Sequence, residues 1–184
     1  MSAPYLAQCL CGTIRYEVLA EPLTVYACHC SDCQRRTGSA LALSMIVLRD
    51  EIRLIQGEPA RYCALLPDGR TKNGRICSGC GRRLWGEPQR HPKIAVVQTG
   101  TLALPCGLRP VAHQWTSEAQ PWFVFPLGAV KFETQPPDAS EMVRLWKATN
   151  GSQARGACRD FPVPRCPQSC AVRHQSATSV GGHL

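Results

Sequence analysis

Seven of the chain's twelve cysteines fall into three short clusters whose spacing favours metal binding over disulfide formation. The clusters are the Cys9/Cys11 pair, the Cys28/Cys30/Cys33 triplet and the Cys77/Cys80 pair. Thiolates one or two residues apart can be turned by a short loop toward one soft, tetrahedral cation. A disulfide between such near neighbours would be strained and would cross-link little of the chain. The seven residues can supply one closed four-thiolate site and one three-thiolate site with an open position.

The rest of the sequence favours a reducing compartment. Residues 1–8 contain neither a basic start nor an apolar core of signal-peptide length, so we expect a cytoplasmic protein with reduced thiols. The length of 184 residues predicts one domain with a possible tail. No apolar run approaches the length of a membrane span, so we expect no membrane partner.

The formal net charge of +8 is concentrated in particular segments. Between Arg61 and Lys93 the chain carries eight Lys or Arg residues and two acidic residues. A solvated face is the favoured explanation of such a segment, and the alternative is a surface beside the Cys77/Cys80 pair that receives carboxylates or phosphates. No aromatic residues alternate with these bases in the pattern of a single-strand-binding surface, so nucleic acid is a possible partner but not the favoured one.

Short apolar segments, separated by Gly or Pro, predict an all-β fold. The expected strands cover residues 13–18, 23–27, 41–48, 52–55, 61–66, 94–99, 122–125 and 130–132. One short helix is expected near the end of the domain, over residues 140–147. From Ala148 onward Gly, Ser, Gln, Arg and Pro dominate without hydrophobic periodicity, which predicts a disordered basic tail over residues 148–184. This tail contains Cys158, Cys166, Cys170 and His174, whose spacing matches no common zinc knuckle.

Four motifs, in order, make the chain similar to the glutathione-dependent formaldehyde-activating enzyme (GFA) family, which includes the centromere protein V-like zinc proteins. The first is the segment from Cys9 to Val18, CLCGTIRYEV, and the second is CHCSDCQRRTGS from Cys28 to Ser39. The third is RICSGCG over residues 75–81, and the fourth is PVAH over residues 110–113 followed by the Pro-Trp pair at 121–122. The resemblance covers residues 5–147, which we expect to form a GFA-type zinc-binding domain.

The resemblance implies two zinc ions per chain and assigns their ligands. Cys9, Cys11, Cys77 and Cys80 would close a structural zinc site, while Cys28, Cys30 and Cys33 would hold the catalytic zinc. It also implies small antiparallel sheets of β-tent type, pinned by zinc knuckles.

The implied function is a carbon–sulfur lyase that adds glutathione to formaldehyde, giving S-hydroxymethylglutathione or a related thiol–aldehyde adduct. The partners would then be a small-molecule thiol and an aldehyde. The alternative is a non-catalytic, zinc-scaffolded binding module for nucleic acid or protein, since centromere protein V resembles this family and associates with chromosomes and microtubules.

Several residues near these motifs have both a functional and a structural interpretation. Arg35 and Arg36 directly follow the triplet and would bind a glutathione carboxylate, or else form a solvated pair. His29 would be a fourth ligand only if its side chain turned toward its neighbours' sulfurs, and Ser31 and Asp32 would orient the loop by hydrogen bonds. His113 would act as a proton shuttle or pack as a structural histidine. The remaining residues were expected to fill the core or line a pocket: Trp85, Trp115, Trp122, Cys63 and Cys106.

Overall fold

Strands in two sheets form most of the part of the chain that the structure, a computed structural model, describes: residues 3–66, 69–103 and 108–150. The strands are β1 (Tyr5–Gln8), β2 (Arg15–Val18), β3 (Thr24–Cys28), β4 (Ala42–Leu48), β5 (Ile52–Gln56), β6 (Ala60–Leu65), β7 (Thr71–Ile76), β8 (Arg83–Gly86), β9 (Ile94–Gln98), β10 (Ala112–Gln114) and β11 (Val130–Phe132). The two α-helices are α1 (Ser31–Thr37) and α2 (Ala139–Asn150).

The two sheets differ in size and in the direction of some pairings. The smaller sheet has the strand order β1-β2-β5, and all of its pairs are antiparallel. The larger sheet has the order β11-β10-β3-β4-β9-β8-β7-β6. Its pairs are antiparallel from β3 to β6, whereas β10 runs parallel to both β3 and β11. The end of β3 and the start of β7 therefore belong to the same sheet, although they lie far apart in sequence.

The main core lies between the two sheets. Tyr16 of β2 is fully buried, and its ring meets that of Trp85 of β8 edge-on, with ring centroids 5.1 Å apart. The Tyr16 hydroxyl forms a hydrogen bond of 2.6 Å with Thr101 Oγ1, which satisfies a polar group that burial would otherwise penalise. Cys9 and Cys77 belong to this core, and Cys28 and Cys33 belong to a second buried cluster with Met142 of α2. The cysteine clusters are therefore anchored in packed parts of the fold.

The all-β class with a short C-terminal helix is confirmed, and seven of the eight expected strands lie close to observed ones. Helix α2 extends beyond the expected 140–147, and helix α1 was not expected because it is only seven residues long. The expected strand over 122–125 is wrong. Side chains in this segment alternate between partly buried and exposed without forming a strand. Phe123 and Phe125 pack on a buried histidine pair, while Trp122 and Val124 are exposed.

Other expectations fall on residues outside the described ranges. These are the tail from residue 151, with Cys158, Cys166, Cys170 and His174, and also Cys106. In the ranges that are described, no helix has the length and apolar character needed to cross a membrane. The eight described cysteines are all free thiols.

Candidate metal centres

Cys9, Cys11, Cys77 and Cys80 come together although the two pairs are separated by more than sixty residues. Their four sulfurs all lie within 4.8 Å of one another. Cys11 Sγ is 3.5 Å from Cys9 Sγ and 3.6 Å from Cys77 Sγ. Four converging thiols match the donor set of a closed, tetrahedral zinc site.

Two glycines let the chain turn tightly around this cluster. Gly12 and Gly81 have φ angles of 74° and 69°, in the left-handed region that favours glycine. In these turns the Gly12 N–H donates to the Cys9 carbonyl over 3.1 Å, and the Gly81 N–H donates to the Cys77 carbonyl over 2.8 Å. Each glycine thus closes a knuckle that aims two sulfurs inward.

The protein environment already acts on the thiols of this four-cysteine cluster. Hydrogen bonds from Thr13 lower the pKa of Cys11 to about 6, and the Thr13 hydroxyl lies 3.2 Å from its sulfur. Burial raises the pKa of Cys77 to about 12. The Ile14 N–H also donates to Cys9 Sγ over 3.2 Å, an interaction typical of metal-binding thiolates.

Cys28, Cys30 and Cys33 form the second cluster, at the junction of β3 and α1. Cys28 is the last residue of β3, Cys30 directly precedes α1, and Cys33 lies in the helix. Their sulfurs lie within 4.8 Å of one another, with Cys28 and Cys30 separated by 3.4 Å. Among the residues that the structure describes, these three thiols have no fourth metal-ligating neighbour within that distance.

Hydrogen bonds to His29 and to the distant Glu118 fix the start of α1. The Gln34 side-chain amide donates to the carbonyls of His29 and Glu118, over 2.6 Å and 2.8 Å. The Ser31 N–H donates to a carboxylate oxygen of Glu118 over 2.7 Å. Since these bonds hold both sides of Cys30, they position the triplet before any metal is bound.

Asp32 and the two arginines differ in what they contact. The Asp32 carboxylate accepts a bond of 2.8 Å from Lys72 of β7 and lies 3.6 Å from Arg35. Arg35 has 76% of its side chain exposed, whereas Arg36 donates through Nη2 to Cys33 Sγ over 3.1 Å. Hydrogen bonds from Cys28 and Cys30, together with the positive charges of Arg36 and Lys72, lower the pKa of Cys33. The two arginines therefore have different roles.

His29 turns away from the triplet and pairs with His113. The His29 Nε2 and His113 Nδ1 atoms are 2.9 Å apart, and both side chains are buried. Phe123 and Phe125 pack against both rings. Burial lowers the pKa of both histidines, and the proximity of His113 lowers that of His29 further. This arrangement favours the structural interpretation of both residues.

Two cavities adjoin the clusters, and Arg36 contributes to both. The first, of about 270 Å³, is lined by Asp32, Arg35, Arg36, Tyr62, Ala64, Leu66 and Lys72. The second, of about 380 Å³, is lined by Leu10, Arg36, Thr37, Tyr62, Ile76, Cys80, Gly81, Arg82, Arg83 and Gln98. Sequence reasoning missed Tyr62, Arg83 and Gln98, although the basic segment 61–93 contains Arg83.

Four expectations for single side chains can be compared with the structure, and Trp115 meets its expectation because it is partly buried and packs against the second core cluster. Trp85 is buried in the core, as expected. Trp122 is 70% exposed and Cys63 lies exposed on β6, so assigning these two residues to the core or a pocket wall was wrong. Cys63 lies on the outward-facing side of β6, and Trp122 lies outside any strand, next to Phe123, which packs on the histidine pair.

The sheets, the cysteine knuckles and the order of the motifs define a class of β protein with two cysteine clusters that could hold metal ions. A family model described as "Glutathione-dependent formaldehyde-activating enzyme" matches residues 4–118, and the chain belongs to this GFA family. No curated protein matches the chain. A crystal structure of a Rhodobacter sphaeroides protein is similar, with 20% identity and a TM-score of 0.43, covering 69% of this chain and 98% of the other.

Proposed function

We propose that this protein is a zinc-dependent carbon–sulfur lyase of the GFA type, which joins glutathione and formaldehyde into S-hydroxymethylglutathione. Membership of the family supports an enzyme of this kind. The observation that carries the proposal is the convergence of Cys28, Cys30 and Cys33 beside the guanidinium of Arg36. The proposed catalytic domain covers residues 5–147, because α2 packs on β3: Thr24 Oγ1 donates to the Met142 carbonyl over 3.0 Å.

The donor sets fit two zinc ions per chain. Cys9, Cys11, Cys77 and Cys80 would hold the structural ion, since four thiols fill a tetrahedral site. Cys28, Cys30 and Cys33 would hold the catalytic ion and leave one position for a substrate. We include a reducing, cytoplasmic location in the proposal, since all seven thiols must stay reduced to bind metal.

The reaction needs a thiolate and a nearby carbonyl. Cys28, Cys30 and Cys33 would hold a zinc ion with one position left free, where a substrate thiol would have a lowered pKa. In the addition, a new bond joins the thiol sulfur to the aldehyde carbon, and the thiol proton ends on the former carbonyl oxygen. Arg36 donates a hydrogen bond to Cys33 Sγ, which favours the thiolate, and the hydrogen bonds of Gln34 and Glu118 hold the triplet in place. Such positioning converts an encounter of free molecules into a reaction of oriented partners.

Arginine is suited to hold the carboxylate end of glutathione. Of the two arginines assigned to this task from the sequence, Arg36 is the stronger candidate because it lines both cavities. Arg35 is mostly exposed and lies at one rim, so we assign it a smaller contribution.

Exchange spectroscopy by NMR tests the activity. With glutathione and formaldehyde present, the zinc-loaded protein should interconvert the free aldehyde and the adduct faster than buffer does. Cys30→Ser should abolish this acceleration, while Cys63→Ser should preserve it because Cys63 is exposed and outside both clusters. Exchange at the buffer rate with fully zinc-loaded wild-type protein would disprove the lyase assignment.

The alternative is a zinc-scaffolded module that binds nucleic acid or protein, and the basic segment 61–93 is the observation in its favour. Part of this charge is engaged within the protein, since Lys72 pairs with Asp32 and Arg75 pairs with Glu87. DNA binding whose affinity falls steeply with salt, without glutathione binding, would favour this alternative over the enzyme.

A further inference from the structure

The lining of the 380 Å³ cavity includes buried polar atoms that lack hydrogen-bond partners. Among the described residues, seven buried side-chain nitrogen or oxygen atoms have no hydrogen-bond partner. Five of these atoms belong to four residues that line this cavity: Arg36 Nε, Tyr62 Oη, Arg83 Nε, Arg83 Nη1 and Gln98 Nε2. Buried polar groups are normally hydrogen-bonded, so such a concentration around one cavity points to a ligand.

The charge of the cavity lining identifies the kind of ligand. Arg36, Arg82 and Arg83 line it, and no Asp or Glu is among its lining residues in the described part of the chain. Burial, with Arg36 nearby, lowers the pKa of Arg83 from its usual range, yet an arginine stays protonated at neutral pH. Except for the Tyr62 hydroxyl, which can also accept, the unpartnered atoms are N–H donors. The site therefore presents donors and positive charge to an anion.

The backbone makes room for these side chains. Gly74 of β7 faces Gly86 of β8 across the strand pair. A Cβ at Gly86 would lie 2.1 Å from Arg83 Nη2, and a Cβ at Gly74 would lie 2.7 Å from Tyr62 Cε1. The Arg83 guanidinium lies over the Tyr62 ring, 5.3 Å from its centroid. Two glycines thus allow this guanidinium and ring to stack beside the cavity.

We propose that this cavity binds a carboxylate of the thiol substrate through Arg36, Arg83, Tyr62 and Gln98, an assignment that rests on the proposed function. The substrate class is a thiol with a carboxylate that has no ammonium group beside it. For glutathione this is the glycyl carboxylate, because the γ-glutamyl carboxylate adjoins an ammonium, and the lining offers that ammonium three guanidinium groups and no carboxylate. A cavity of about 380 Å³ falls in the range of small-molecule sites.

Arg36 couples this carboxylate site to the triplet. The same guanidinium donates to Cys33 and lines the cavity, so a bound carboxylate lies close to the sulfurs of the triplet. Binding of the remote carboxylate can then place the substrate thiol at the triplet, which is how binding energy away from the reacting atoms aids catalysis.

Isothermal titration of zinc-loaded, full-length protein tests the assignment with glutathione and with its glycyl ethyl ester. We expect the ester to bind wild-type protein about tenfold to a hundredfold more weakly, since a hydrogen bond to a charged group is lost. Arg83→Gln should weaken glutathione binding by a similar factor, and this variant should no longer distinguish acid from ester. The matched control is Arg61→Gln, because Arg61 is exposed on β6 and lines neither cavity.

Tyr62→Phe provides a second variant in case Arg83→Gln fails to fold, as judged by zinc content and melting temperature. This change removes one hydroxyl and keeps the ring. It should also narrow the difference in affinity between glutathione and its glycyl ester. Equal affinity of the wild-type protein for glutathione and for its glycyl ester would overturn the assignment. It would also be overturned if folded Arg83→Gln or Tyr62→Phe kept the full wild-type difference between the two affinities. If the difference depends on Arg83 while adduct exchange stays at the buffer rate, the carboxylate site stands and the lyase assignment fails.

Discussion

At the scale of single residues, the burial of Cys30 and Cys77 shows how the two clusters differ. Cys77 is 1% exposed and belongs to the main core, whereas Cys30 is only partly buried at the start of α1. A closed metal site contributes its binding energy to folding, while an open site mainly serves a substrate. The same chemical change, Cys to Ser, should therefore have different consequences at the two positions.

We predict that Cys77→Ser lowers the melting temperature and the yield of soluble protein, and that Cys30→Ser costs less stability but abolishes adduct exchange. Thermal unfolding of both variants, followed by circular dichroism, gives the comparison. Cys63→Ser serves as the control for a cysteine outside the clusters. A similar loss of melting temperature in Cys30→Ser and Cys77→Ser would contradict the division into a structural and a catalytic site.

Arg35 and Arg36 are adjacent in sequence but should contribute unequally to glutathione binding. Arg36→Ala removes a part-buried donor, so we expect a loss of about 1.5–3 kcal/mol. Arg35→Ala removes a side chain that is 76% exposed, so we expect less than about 1 kcal/mol. Titration calorimetry measures both losses, and a larger effect of Arg35 would reverse our assignment of the two residues.

At the scale of elements, β7 and β8 carry an ion-pair cluster that joins them to the end of β4. The Glu87 carboxylate, just after β8, accepts from Arg75 Nε over 2.9 Å and from Trp85 Nε1 over 3.3 Å. Arg49, after β4, lies 3.3 Å away. Burial by itself would raise the pKa of Glu87, but these hydrogen bonds and positive charges outweigh burial and lower the pKa.

A carboxylate with a lowered pKa stabilises the folded state at pH values above its unfolded pKa, about 4.3. That contribution is lost as the pH falls through the folded pKa. We predict that Glu87→Gln lowers the free energy of unfolding by about 1–3 kcal/mol at neutral pH, and that the difference from wild type shrinks below about pH 4. Urea unfolding at several pH values measures the free energy of unfolding of both proteins. If the difference between wild type and Glu87→Gln did not depend on pH, the charge argument would be contradicted.

The elements also show what the sequence could and could not predict. Strands such as β4 and β9 were predictable because their apolar runs are buried in the middle of the large sheet. Strand β7, with the sequence TKNGRI, was missed because its polar residues and Gly74 hide the strand pattern. The cysteine spacing predicted the two pairs and the triplet, since a knuckle is a local feature, whereas the joining of the two pairs into one cluster followed only from the family resemblance. The 380 Å³ cavity was not predictable, because Tyr62, Arg83 and Gln98 come from different strands that only the sheet order brings together.

At the scale of the whole molecule, the two clusters are joined through the large sheet. Cys28 ends β3 and Cys77 follows β7, and β4, β9 and β8 lie between these two strands. The 380 Å³ cavity includes Cys80 from one cluster and Arg36 beside the other. A metal that fixes the four-cysteine knuckles should therefore also shape the wall of the cavity where we place the carboxylate. Loss of the structural ion should therefore weaken binding of the carboxylate in this cavity, although the carboxylate does not contact the ion.

Metal content gives the final prediction. Freshly purified, reduced protein should contain about two zinc ions per chain by inductively coupled plasma analysis, because seven converging thiols form two separate donor sets. Titration with a chelator should remove the ions in two steps, with the three-thiol ion leaving first because it has fewer protein ligands. Loss of the second ion should coincide with the loss of tertiary structure in near-ultraviolet circular dichroism. One zinc ion or none in reduced, folded protein would refute the two-site assignment. Loss of tertiary structure with the first ion removed would refute the prediction that the three-thiol ion leaves first.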